Sequence, residues 1–347
     1  MSNEVWRLAR KPLAGWPVAE DFRWQLEDIP EPGPDQMLTR TLYLSLDPYQ
    51  WGRFRSGAEQ PGDICHGRTV SQVVQSRLSG YAEGDIVFNT NGWQAWGLTG
   101  ANIDVFGYMF PRKIDPILAP ISTAIGVMGM LGLTAYAGLV VQCEPKPGDT
   151  LVVSAASGGV GQVVCQLGRL YGCRVVAIAG SDEKLEYLKT LGVDGVVSHR
   201  SPGFAEGLRQ ACPDGCDIYF ENVGGAVFEG VLPLLNVHAR ISLCGLISQY
   251  GNDDGQDPRS LWRTRGNAAF ERNSVVVHDL FVGNFVAQYQ DRFLEEMGGY
   301  LRAGDVRYLE DKRLGLENTP AVFAQMLAGG TFGKTLVVVS EDPTLSS

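Results

Sequence analysis

The segment best equipped for chemistry in this sequence is a turn of mostly small residues. It follows an apolar run, Leu151–Ser154, opens a helical pattern, Val160–Tyr171, and precedes a second apolar run, Arg174–Ala179. The residues of this glycine turn are Ser157, Gly158, Gly159, Val160 and Gly161. Small residues let a backbone approach phosphate oxygens, and the first turn of a helix offers N–H donors and a partial positive charge. This strand–turn–helix–strand order predicts a binding site for a dinucleotide pyrophosphate.

The glycine pattern departs from G-x-G-x-x-G at its first position, where Ala156 stands. Gly158 keeps the position at which the backbone approaches phosphate, and Gly161 keeps the position at which the helix packs tightly on the strand. Because the surrounding strands and helix are complete, we expect the turn to bind a dinucleotide.

The end of the second strand indicates which dinucleotide is bound. Folds that bind NAD usually carry Asp or Glu there to accept from the ribose 2′-hydroxyl, but this chain has Ala179-Gly180-Ser181. Lys184 follows one helical turn later, and His199 and Arg200 end the next strand. Cationic groups without a carboxylate suit a 2′-phosphate, so NADPH is expected rather than NADH.

Two acidic residues beside this position, Asp182 and Glu183, favour NADH mildly. They can also be explained as favourable charge in the first turn of a helix that Ser181 caps. Lys184 has an alternative interpretation too, as a solvated lysine on a helix surface.

Composition and charge limit the class of protein. At 347 residues the chain is long enough for two domains, and its 44% hydrophobic content is ordinary for a globular protein. A formal net charge of −10 disfavours nucleic acid or an anionic membrane as the partner. The longest apolar stretch, 114–141, contains Asp115, Pro116 and Pro120 and predicts no membrane span. Since no apolar secretory segment opens the chain, a cytoplasmic protein is expected.

Seven cysteines are scattered through the chain, and an odd number favours reduced, buried thiols over a disulfide framework. The adjacent pair Cys65 and His66 offers two metal ligands with no residues to complete the set. It therefore predicts a buried or loop-lining pair, and no metal site is expected.

The elements that position these residues form two patterns. From Phe22 to about Ile114, short alternating runs broken by Pro and Gly predict a β-rich domain. After Thr150, apolar runs alternate with helical patterns and predict an α/β fold with a doubly wound, parallel, six-stranded sheet. The six predicted strands are Leu151–Ser154, Arg174–Ala179, Gly195–Ser198, Ile218–Glu221, Arg240–Leu243 and Ser274–Val277.

Three other segments carry predictions. Residues 121–142 show helical periodicity, and residues 251–273 are polar and predict an irregular insertion. The tail, 308–339, holds two strand-like pieces around a helix, Thr319–Leu327, and is expected to return to the first domain because the nucleotide sheet already has six strands. The predicted domains are 1–125 with 307–347, and 126–306.

Five segments in a fixed order resemble those of one protein family. They are Leu44-Ser-Leu-Asp-Pro-Tyr49, Gly132-Leu-Thr-Ala-Tyr136, the glycine turn, Glu221-Asn-Val-Gly-Gly225 and Cys244-Gly-Leu-Ile-Ser-Gln-Tyr250. Nearly end to end, the chain resembles the medium-chain dehydrogenase/reductase superfamily, and within it the zinc-free branch of NADPH-dependent alkenal and prostaglandin reductases. The resemblance implies a Rossmann-type domain, a β-rich GroES-like catalytic domain and NADPH as cofactor.

The same resemblance implies the reaction. The zinc-dependent branch carries a cysteine ligand at the position of Leu44–Tyr49 and a four-cysteine lobe, and this chain has neither. Reduction of an activated C=C bond is therefore implied, with hydride added to the β-carbon of an α,β-unsaturated ketone or aldehyde. Quinone reduction stays open because the same cofactor geometry permits it, and a nucleotide-binding redox sensor with little turnover is the alternative from another class.

Two tyrosines are the catalytic candidates. Tyr250 follows an apolar strand and a loop, so it lies at the carboxyl edge of the sheet, where ligands bind. In the related reductases this tyrosine lies beside the nicotinamide ribose and the substrate carbonyl, where a phenol can donate to a developing oxyanion or pass on a proton. In the alternative interpretation, Tyr250 is an aromatic side chain that only lines the site. For Tyr49, a role in lining the substrate site and a role in simple packing both stay open. The Met-Arg that follows this tyrosine in the family is Gln50-Trp51 here, so contacts from those two positions do not transfer.

The resemblance also implies cofactor contacts beyond the glycine turn. Lys184 corresponds to a lysine that holds the 2′-phosphate. His199 stands where relatives have tyrosine, which would make that contact weaker and pH-dependent. Asn222 could bond a cofactor ribose, or form a local turn.

Further cofactor positions come from three other segments. Cys244 opens a cofactor-lining segment. Phe281 and Val282 resemble the segment whose backbone holds the nicotinamide carboxamide, or belong to the core. Thr331 stands where the family has asparagine and could bond the cofactor with fewer donors.

Assembly and the substrate pocket are two further expectations. The family resemblance implies a homodimer that joins two chains through their Ser274–Val277 edges, which would bury an otherwise exposed strand. A pocket for the small-molecule substrate could come from aromatic residues that could equally be core, namely Trp51, Phe54, Trp93 and Trp96.

Overall fold

The structure is a computed structural model that describes residues 2–12, 14–105, 107–252 and 255–345. Asp253 and Asp254, from the segment predicted to be irregular, lie outside the described residues. The chain divides into two units, Met1–Gly129 with Glu310–Ser347, and Met130–Leu309. The sequence prediction put these divisions at 125/126 and 306/307.

The first unit is built mostly from antiparallel strands. Numbered in chain order, they are β1 (Asn3–Leu8), β2 (Phe22–Glu27), β3 (Gln36–Ser45), β4 (Thr69–Ser76), β5 (Ile86–Asn89), β6 (Trp96–Gly100), β7 (Arg112–Lys113), β14 (Glu310–Leu314) and β15 (Lys334–Val338). Its helices are α1 (Tyr49–Ser56) and α9 (Thr319–Leu327), with 3₁₀ turns at Ala19–Asp21, Ile121–Ile125 and Leu316–Asn318. One sheet has the order β14-β15-β3-β4-β5-β7, with β6 also paired to β3, and β1 pairs with β2 separately.

The C-terminal tail adds two strands to this sheet. β14 and β15 are parallel and connected through α9, and β15 lies antiparallel to β3 with Leu336 opposite Ser45. This register brings Lys334, the first residue of β15, to the end of β3. The candidate site residues of the first unit lie at that end.

Aromatic side chains fill the core beside α1. Trp51, Phe54 and Trp93 are fully buried and pack against Phe22 and Phe323. Truncating a buried aromatic of this size typically costs about 3–5 kcal/mol of stability. These three residues therefore hold the first unit together, and they do not form the apolar substrate pocket that was one of their two interpretations.

The second unit contains the six-stranded parallel sheet. Its strands are β8 (Thr150–Val153), β9 (Arg174–Ala179), β10 (Gly195–Ser198), β11 (Cys216–Glu221), β12 (Leu235–Leu243) and β13 (Val276–Asp279). Their order is β10-β9-β8-β11-β12-β13, and every neighbouring pair is parallel. The predicted α/β fold is confirmed. Strand order reverses between β8 and β11, and ligands bind at the carboxyl edge of such a switch point.

Helices alternate with these strands and cover the sheet. They are α2 (Met130–Tyr136), α3 (Gly161–Leu170), α4 (Asp182–Thr190), α5 (Phe204–Ala211), α6 (Gly225–Val231), α7 (Pro258–Asn273) and α8 (Gly283–Ala303). A π-helical segment spans Ala137–Cys143, and 3₁₀ turns span Leu232–Leu234 and Ile247–Gln249. The first eight residues of α3 are all buried, so this helix is enclosed for most of its length.

The helical periodicity of residues 121–142 corresponds to three short elements rather than one helix. A 3₁₀ turn is followed by α2 and then by the π-helical segment. Gly129 explains the first break, because a Cβ there would lie 2.1 Å from the carbonyl oxygen of Ala124. Gly138 allows the π-helical segment to approach β12, since a Cβ there would lie 2.5 Å from Ser242 Oγ.

The prediction of an irregular segment over 251–273 was wrong, because α7 occupies most of it. Asp257 caps this helix by accepting hydrogen bonds from the N–H groups of Arg259 and Ser260 at 3.4 and 2.9 Å. The helix then buries Trp262, which stacks on Phe228 with ring centroids 4.3 Å apart. The polar composition of this segment therefore did not predict a helix, because α7 is stabilised by its cap and by one large buried aromatic side chain.

Candidate active site

The glycine turn lies between β8 and α3. Ala155 has a left-handed backbone, with φ of 46°, and its carbonyl oxygen would be 2.4 Å from a Cβ on Gly161. Over the described residues, α3 has no side-chain cap and no acidic residue in its first turn. A helix start with partial positive charge and no built-in anion suits a phosphate.

Three basic side chains gather beyond the end of β9. A Cβ on Gly180 would lie 2.8 Å from His199 Cε1 and 3.2 Å from Arg200 Nε, so both side chains lie over this glycine. Partial burial lowers the pKa of His199, and the positive charges of Arg200 and Lys184 lower it further. A cofactor phosphate at this point would meet two permanent cations and one titratable group, and the arrangement fits the 2′-phosphate of NADPH.

Ser181 occupies the N-cap position of α4, but the predicted side-chain cap was wrong. Within the described residues its hydroxyl makes no capping hydrogen bond, and only its carbonyl oxygen participates, accepting from the N–H of Leu185 at 3.0 Å. Asp182 and Glu183 are exposed in the first turn of α4, where their negative charges interact favourably with the partial positive charge of the helix N-terminus.

A buried carboxylate holds the loops that follow β8 and β11. Glu221 is fully buried, and burial raises its pKa while its hydrogen-bond donors oppose the shift. Its carboxylate accepts hydrogen bonds of 2.8–3.0 Å from the Ser154 and Tyr219 hydroxyls, the Val223 and Gly224 N–H groups and the Trp262 indole. Sequence reasoning treated Glu221 only as the first letter of a motif and missed this role.

Asn222 is held against the end of β8. Its backbone N–H donates to Ser154 Oγ and its side-chain Nδ2 donates to the Ser154 carbonyl oxygen, both at 2.8 Å. The N–H of Gly224, which a local Asn turn would use, donates to Glu221 instead. The side chain of Asn222 is therefore oriented by β8 rather than by its own loop.

The loop after β12 is bound to the loop after β11. The N–H groups of Cys244 and Gly245 both donate to the Glu221 carbonyl oxygen at 3.0 Å. One step further along, the N–H of Ile247 donates to the Asn222 carbonyl oxygen at 3.1 Å. These bonds bring Cys244 and Asn222 together at the carboxyl edge of the sheet.

Tyr250 follows the 3₁₀ turn Ile247–Gln249 on the same loop and is half-buried. Its hydroxyl oxygen accepts from the Leu246 N–H at 3.4 Å, and an oxygen that accepts in this way can still donate its own proton. Burial raises the pKa of Tyr250, and the neighbouring Cys244 thiol acts in the same direction. The phenol is therefore protonated at neutral pH.

Phe281 and Val282 lie between β13 and α8 at the same sheet edge. The N–H of the preceding Leu280 donates to the Leu243 carbonyl oxygen at 3.1 Å and fixes this segment to the end of β12. Phe281 is 51% exposed, so it is not a core residue. The structure thus places Asn222, Cys244, Tyr250, Phe281 and Val282 along one edge.

Tyr49 and Thr331 belong to the first unit. Tyr49 opens α1 and its hydroxyl lies 2.8 Å from His66 Nε2. Thr331 is buried before β15, where its hydroxyl accepts from the Thr335 hydroxyl at 2.9 Å. Burial raises the pKa of Tyr49, which keeps its phenol protonated as well.

A buried ion cluster supports the segment before Tyr49. Asp47, Arg68 and Lys334 are each less than 5% exposed, and the Asp47 carboxylate pairs with Arg68 at 2.6 Å and with Lys334 at 2.9 Å. Burial disfavours the charged carboxylate, but the two cations outweigh it and hold the pKa of Asp47 well below its usual range. Burial and the charge of Arg68 lower the pKa of Lys334 to about 8, against the opposing effect of Asp47.

Sequence reasoning missed His66 and Arg68 as neighbours of Tyr49. His66 was considered only as half of a possible metal pair with Cys65. The position of Arg68, directly before β4, could have indicated a buried ion pair. A charged residue that is buried at the start of a strand requires a partner of opposite charge.

The described parts of the chain contain no group of three or more His, Cys, Asp or Glu side chains arranged to hold a metal ion. Among the helices that the structure describes, none combines the length and apolar character that a bilayer crossing requires.

Known proteins resemble this chain over almost its full length. A family model described as the N-terminal domain of oxidoreductase matches residues 4–102, and one described as zinc-binding dehydrogenase matches residues 159–276. The NADPH-dependent curcumin reductase of Escherichia coli (strain K12) is 40% identical, with 98% of both chains covered. The chain belongs to the zinc-independent, NADPH-dependent reductase branch of the medium-chain dehydrogenase/reductase superfamily.

Two further similarities agree with this membership of the reductase branch. Prostaglandin reductase 1 of Rattus norvegicus is 35% identical, with 96% of this chain and 98% of the relative covered. The crystal structure of CurA in complex with NADPH from Vibrio vulnificus superimposes with a TM-score of 0.87 at 40% identity, with 98% of this chain and 100% of that chain covered.

Proposed function

We propose that this protein uses NADPH to reduce the activated C=C bond of α,β-unsaturated ketones and aldehydes. The proposal depends on the likeness, at 40% identity over 98% of the chain, to a relative named NADPH-dependent curcumin reductase. A relative from Nicotiana tabacum named 2-alkenal reductase (NADP(+)-dependent) is 35% identical over 90% of the chain. We take from these names a substrate whose C=C bond is conjugated to a carbonyl group.

The second unit binds the phosphates in this proposal. NADPH, when bound, supplies a hydride for the β-carbon of the substrate. Lys184, His199 and Arg200 hold the 2′-phosphate through charge-assisted hydrogen bonds, and the Ser181 hydroxyl adds a donor. The backbone of Ser157–Gly161 and the start of α3 hold the pyrophosphate.

Further cofactor contacts are proposed at the carboxyl edge of the sheet. Asn222 and Cys244 are proposed to line the ribose, and the backbone of Phe281 and Val282 to bond the carboxamide. The hydrogen bonds that join the loops after β11 and β12 support a common binding surface. For Thr331, a hydroxyl contact to the cofactor stays a prediction from the sequence.

Tyr250 is proposed to donate a hydrogen bond to the substrate carbonyl oxygen. Arrival of hydride at the β-carbon converts the enone into an enolate, so negative charge develops on that oxygen and the hydrogen bond strengthens. The enolate then takes a proton at its α-carbon from Tyr250 or from a water that Tyr250 orients. The raised pKa of Tyr250 supports a protonated donor.

Initial rates of NADPH oxidation with a medium-chain enone, a 2-alkenal and a simple quinone test this function, with mass spectrometry of the products to locate the added hydrogens. Saturation of the C=C bond in the enone or alkenal is the expected result. Turnover of the quinone alone would replace the proposal with quinone reduction. Tight NADPH binding without turnover of any of the three would favour a redox sensor.

We also propose a cytoplasmic homodimer that forms through β13. This strand ends the six-stranded sheet, and its Val276 is 48% exposed. All seven cysteines are free thiols, six of them buried, as is typical of proteins in a reducing compartment. Light scattering should give the mass of a dimer, and Val276→Lys should shift it toward a monomer. A wild-type monomer at all concentrations would reject this assembly.

A further inference from the structure

A hydrogen bond joins the two helices of the second unit that carry the proposed phosphate contacts. The Tyr187 hydroxyl of α4 donates to Gln162 Oε1 of α3 at 2.6 Å. Gln162 directly follows Gly161, the last residue of the glycine turn, and Tyr187 lies three residues after Lys184. Residues three apart in a helix are neighbours on one face. The bond therefore connects the start of α3 with the face of α4 that carries Lys184.

The amide of Gln162 is fixed by the chain segment 307–309. Its Oε1 also accepts from the Leu309 N–H at 2.8 Å, and its Nε2 donates to the Leu309 carbonyl oxygen at 3.2 Å. Gln162 is only 1% exposed, so water does not compete for these bonds. Buried polar groups whose bonds are satisfied in this way are rigid. The oxygen that accepts from Tyr187 is therefore held in place independently of α4.

The Tyr187 phenol is a permanent donor in this bond. Burial raises the pKa of Tyr187 to about 12, and the Cys165 thiol acts in the same direction. The phenol is therefore protonated at neutral pH, and an amide oxygen can only accept. Cys165 lies one turn after Gln162 on α3, so the phenol meets α3 at both positions.

Of the two helices, α4 is enclosed far less than α3. Among the nine residues of α4, all of which the structure describes, only Leu188 is buried. In contrast, the first eight residues of α3 are all buried. A helix with few buried contacts is displaced at lower cost than an enclosed one. A hydrogen bond to α3 therefore contributes a large share of what fixes the position of α4.

We propose that Gln162 is a positioning residue for the 2′-phosphate of NADPH: by accepting from Tyr187 it holds α4 against α3, and so sets the position of Lys184 relative to the pyrophosphate site. One NADPH molecule carries both phosphate groups, so it binds best when the two sites are held in matching positions and need no ordering. NADH lacks the 2′-phosphate and does not depend on Lys184. This inference rests on the proposed function, specifically on its phosphate contacts.

The test compares the dissociation constants of NADPH and NADH, measured by fluorescence titration of the full-length protein. Tyr187→Phe removes one hydroxyl and leaves Gln162 bonded to Leu309. Gln162→Met removes the accepting oxygen together with the bonds to Leu309. Each variant should weaken NADPH binding by roughly 3- to 10-fold, the scale of one hydrogen bond, and should change NADH binding by less than about twofold.

A double-mutant cycle shows whether Tyr187 acts through Lys184. In the K184A background, Tyr187→Phe should change NADPH binding by less than about twofold, because the group that the bond positions is gone. Tyr187→Phe combined with Gln162→Met should bind NADPH no more weakly than Gln162→Met alone, since both substitutions break the same bond.

Gln166→Met is the matched control. Gln166 lies one turn later on α3, is 3% exposed, and bonds the Arg307 N–H and carbonyl oxygen at 2.7 and 2.8 Å. It therefore attaches the same segment as Gln162, but within the described part of the chain its side chain bonds no residue of α4. Thermal unfolding midpoints should fall in both Gln162→Met and Gln166→Met, whereas the ratio of the NADPH and NADH constants should change in Gln162→Met only.

The outcomes separate this inference from the function on which it rests. If Lys184→Ala weakens NADPH and NADH binding equally, the proposed 2′-phosphate contact is wrong and the inference fails with it. If Lys184→Ala is selective for NADPH but Tyr187→Phe is not, or if the two effects add in full, the inference alone is rejected. An equal loss of NADPH preference in Gln166→Met would also reject it. Tyr187→Phe decides the outcome even if Gln162→Met fails to fold.

Discussion

The carboxylate of Glu221, at the end of β11, accepts a hydrogen bond from the indole of Trp262 at 3.0 Å. This bond joins the edge of the parallel sheet to α7. Because the other oxygen of Glu221 holds the N–H groups of Val223 and Gly224, α7 contributes to the loop that carries Asn222. The loop after β11 is therefore stabilised by α7, although α7 contributes no residue to the proposed cofactor contacts.

We predict that Glu221→Gln lowers the free energy of unfolding by about 1–3 kcal/mol, the usual cost of leaving a buried polar group unsatisfied. When the amide oxygen accepts from the loop, the amide N–H2 faces the Trp262 indole N–H, and two donors oppose each other. Urea unfolding followed by circular dichroism measures the change. Trp262→Phe should recover part of the loss in the E221Q background, and purely additive losses would contradict the pairing.

Lys184 should determine cofactor preference. A charge-assisted hydrogen bond contributes about 1.5–3 kcal/mol, so Lys184→Ala should weaken NADPH binding by roughly 10- to 150-fold and leave NADH binding nearly unchanged. Fluorescence titration with both cofactors measures the two constants. Lys189→Ala is the control, because this lysine lies later in α4 and pairs with Glu186 on the surface. Equal losses for NADPH and NADH would remove Lys184 from the phosphate site.

His199 should make NADPH binding depend on pH. Partial burial, Arg200 and Lys184 hold its pKa below the usual value, so the imidazole is neutral at pH 7 and gains a proton only below about pH 6.5. A bound phosphate favours the protonated form. Wild-type affinity for NADPH should therefore rise relative to that of His199→Tyr between about pH 8 and about pH 5.5.

The ratio of the two dissociation constants is the quantity to measure, because it cancels titration of the phosphate itself. A ratio that stays constant with pH would show that His199 does not contact the phosphate. In the protein without NADPH, a fall in pH has the opposite effect and lowers the free energy of unfolding. The pKa of His199 is lower in the folded chain than in the unfolded chain, so His199 costs stability as pH falls through about 6.5.

Tyr250→Phe should lower kcat for an enone by roughly 10- to 100-fold, because one donor to the developing oxyanion is lost. The NADPH dissociation constant should change by less than about twofold, since the phenol stabilises the transition state rather than the bound cofactor. Single-turnover hydride transfer and cofactor titration measure these two quantities. Tyr300→Phe, on α8, is the matched control. Unchanged kcat would reduce Tyr250 to an aromatic that shapes the site.

The amino-acid sequence by itself determined the parallel sheet and the class of cofactor. β9 and β10 begin and end at the predicted residues, Arg174–Ala179 and Gly195–Ser198, because short apolar runs between turn residues specify buried strands locally. The same local chemistry identifies the glycine turn and the strand end at Ala179 that lacks a carboxylate. In contrast, α7 was missed because one buried tryptophan and a cap, rather than apolar periodicity, stabilise it.

The tertiary structure alone decided which distant residues meet. Lys334 bonds Asp47 across 287 positions of the chain, and the Tyr49–His66 contact forms because β4 returns beside β3. Nothing in the local sequence around these residues marks them as partners. Periodicity and turn chemistry act over a few residues, whereas strand register and core packing, which depend on the whole chain, determine the contacts between segments.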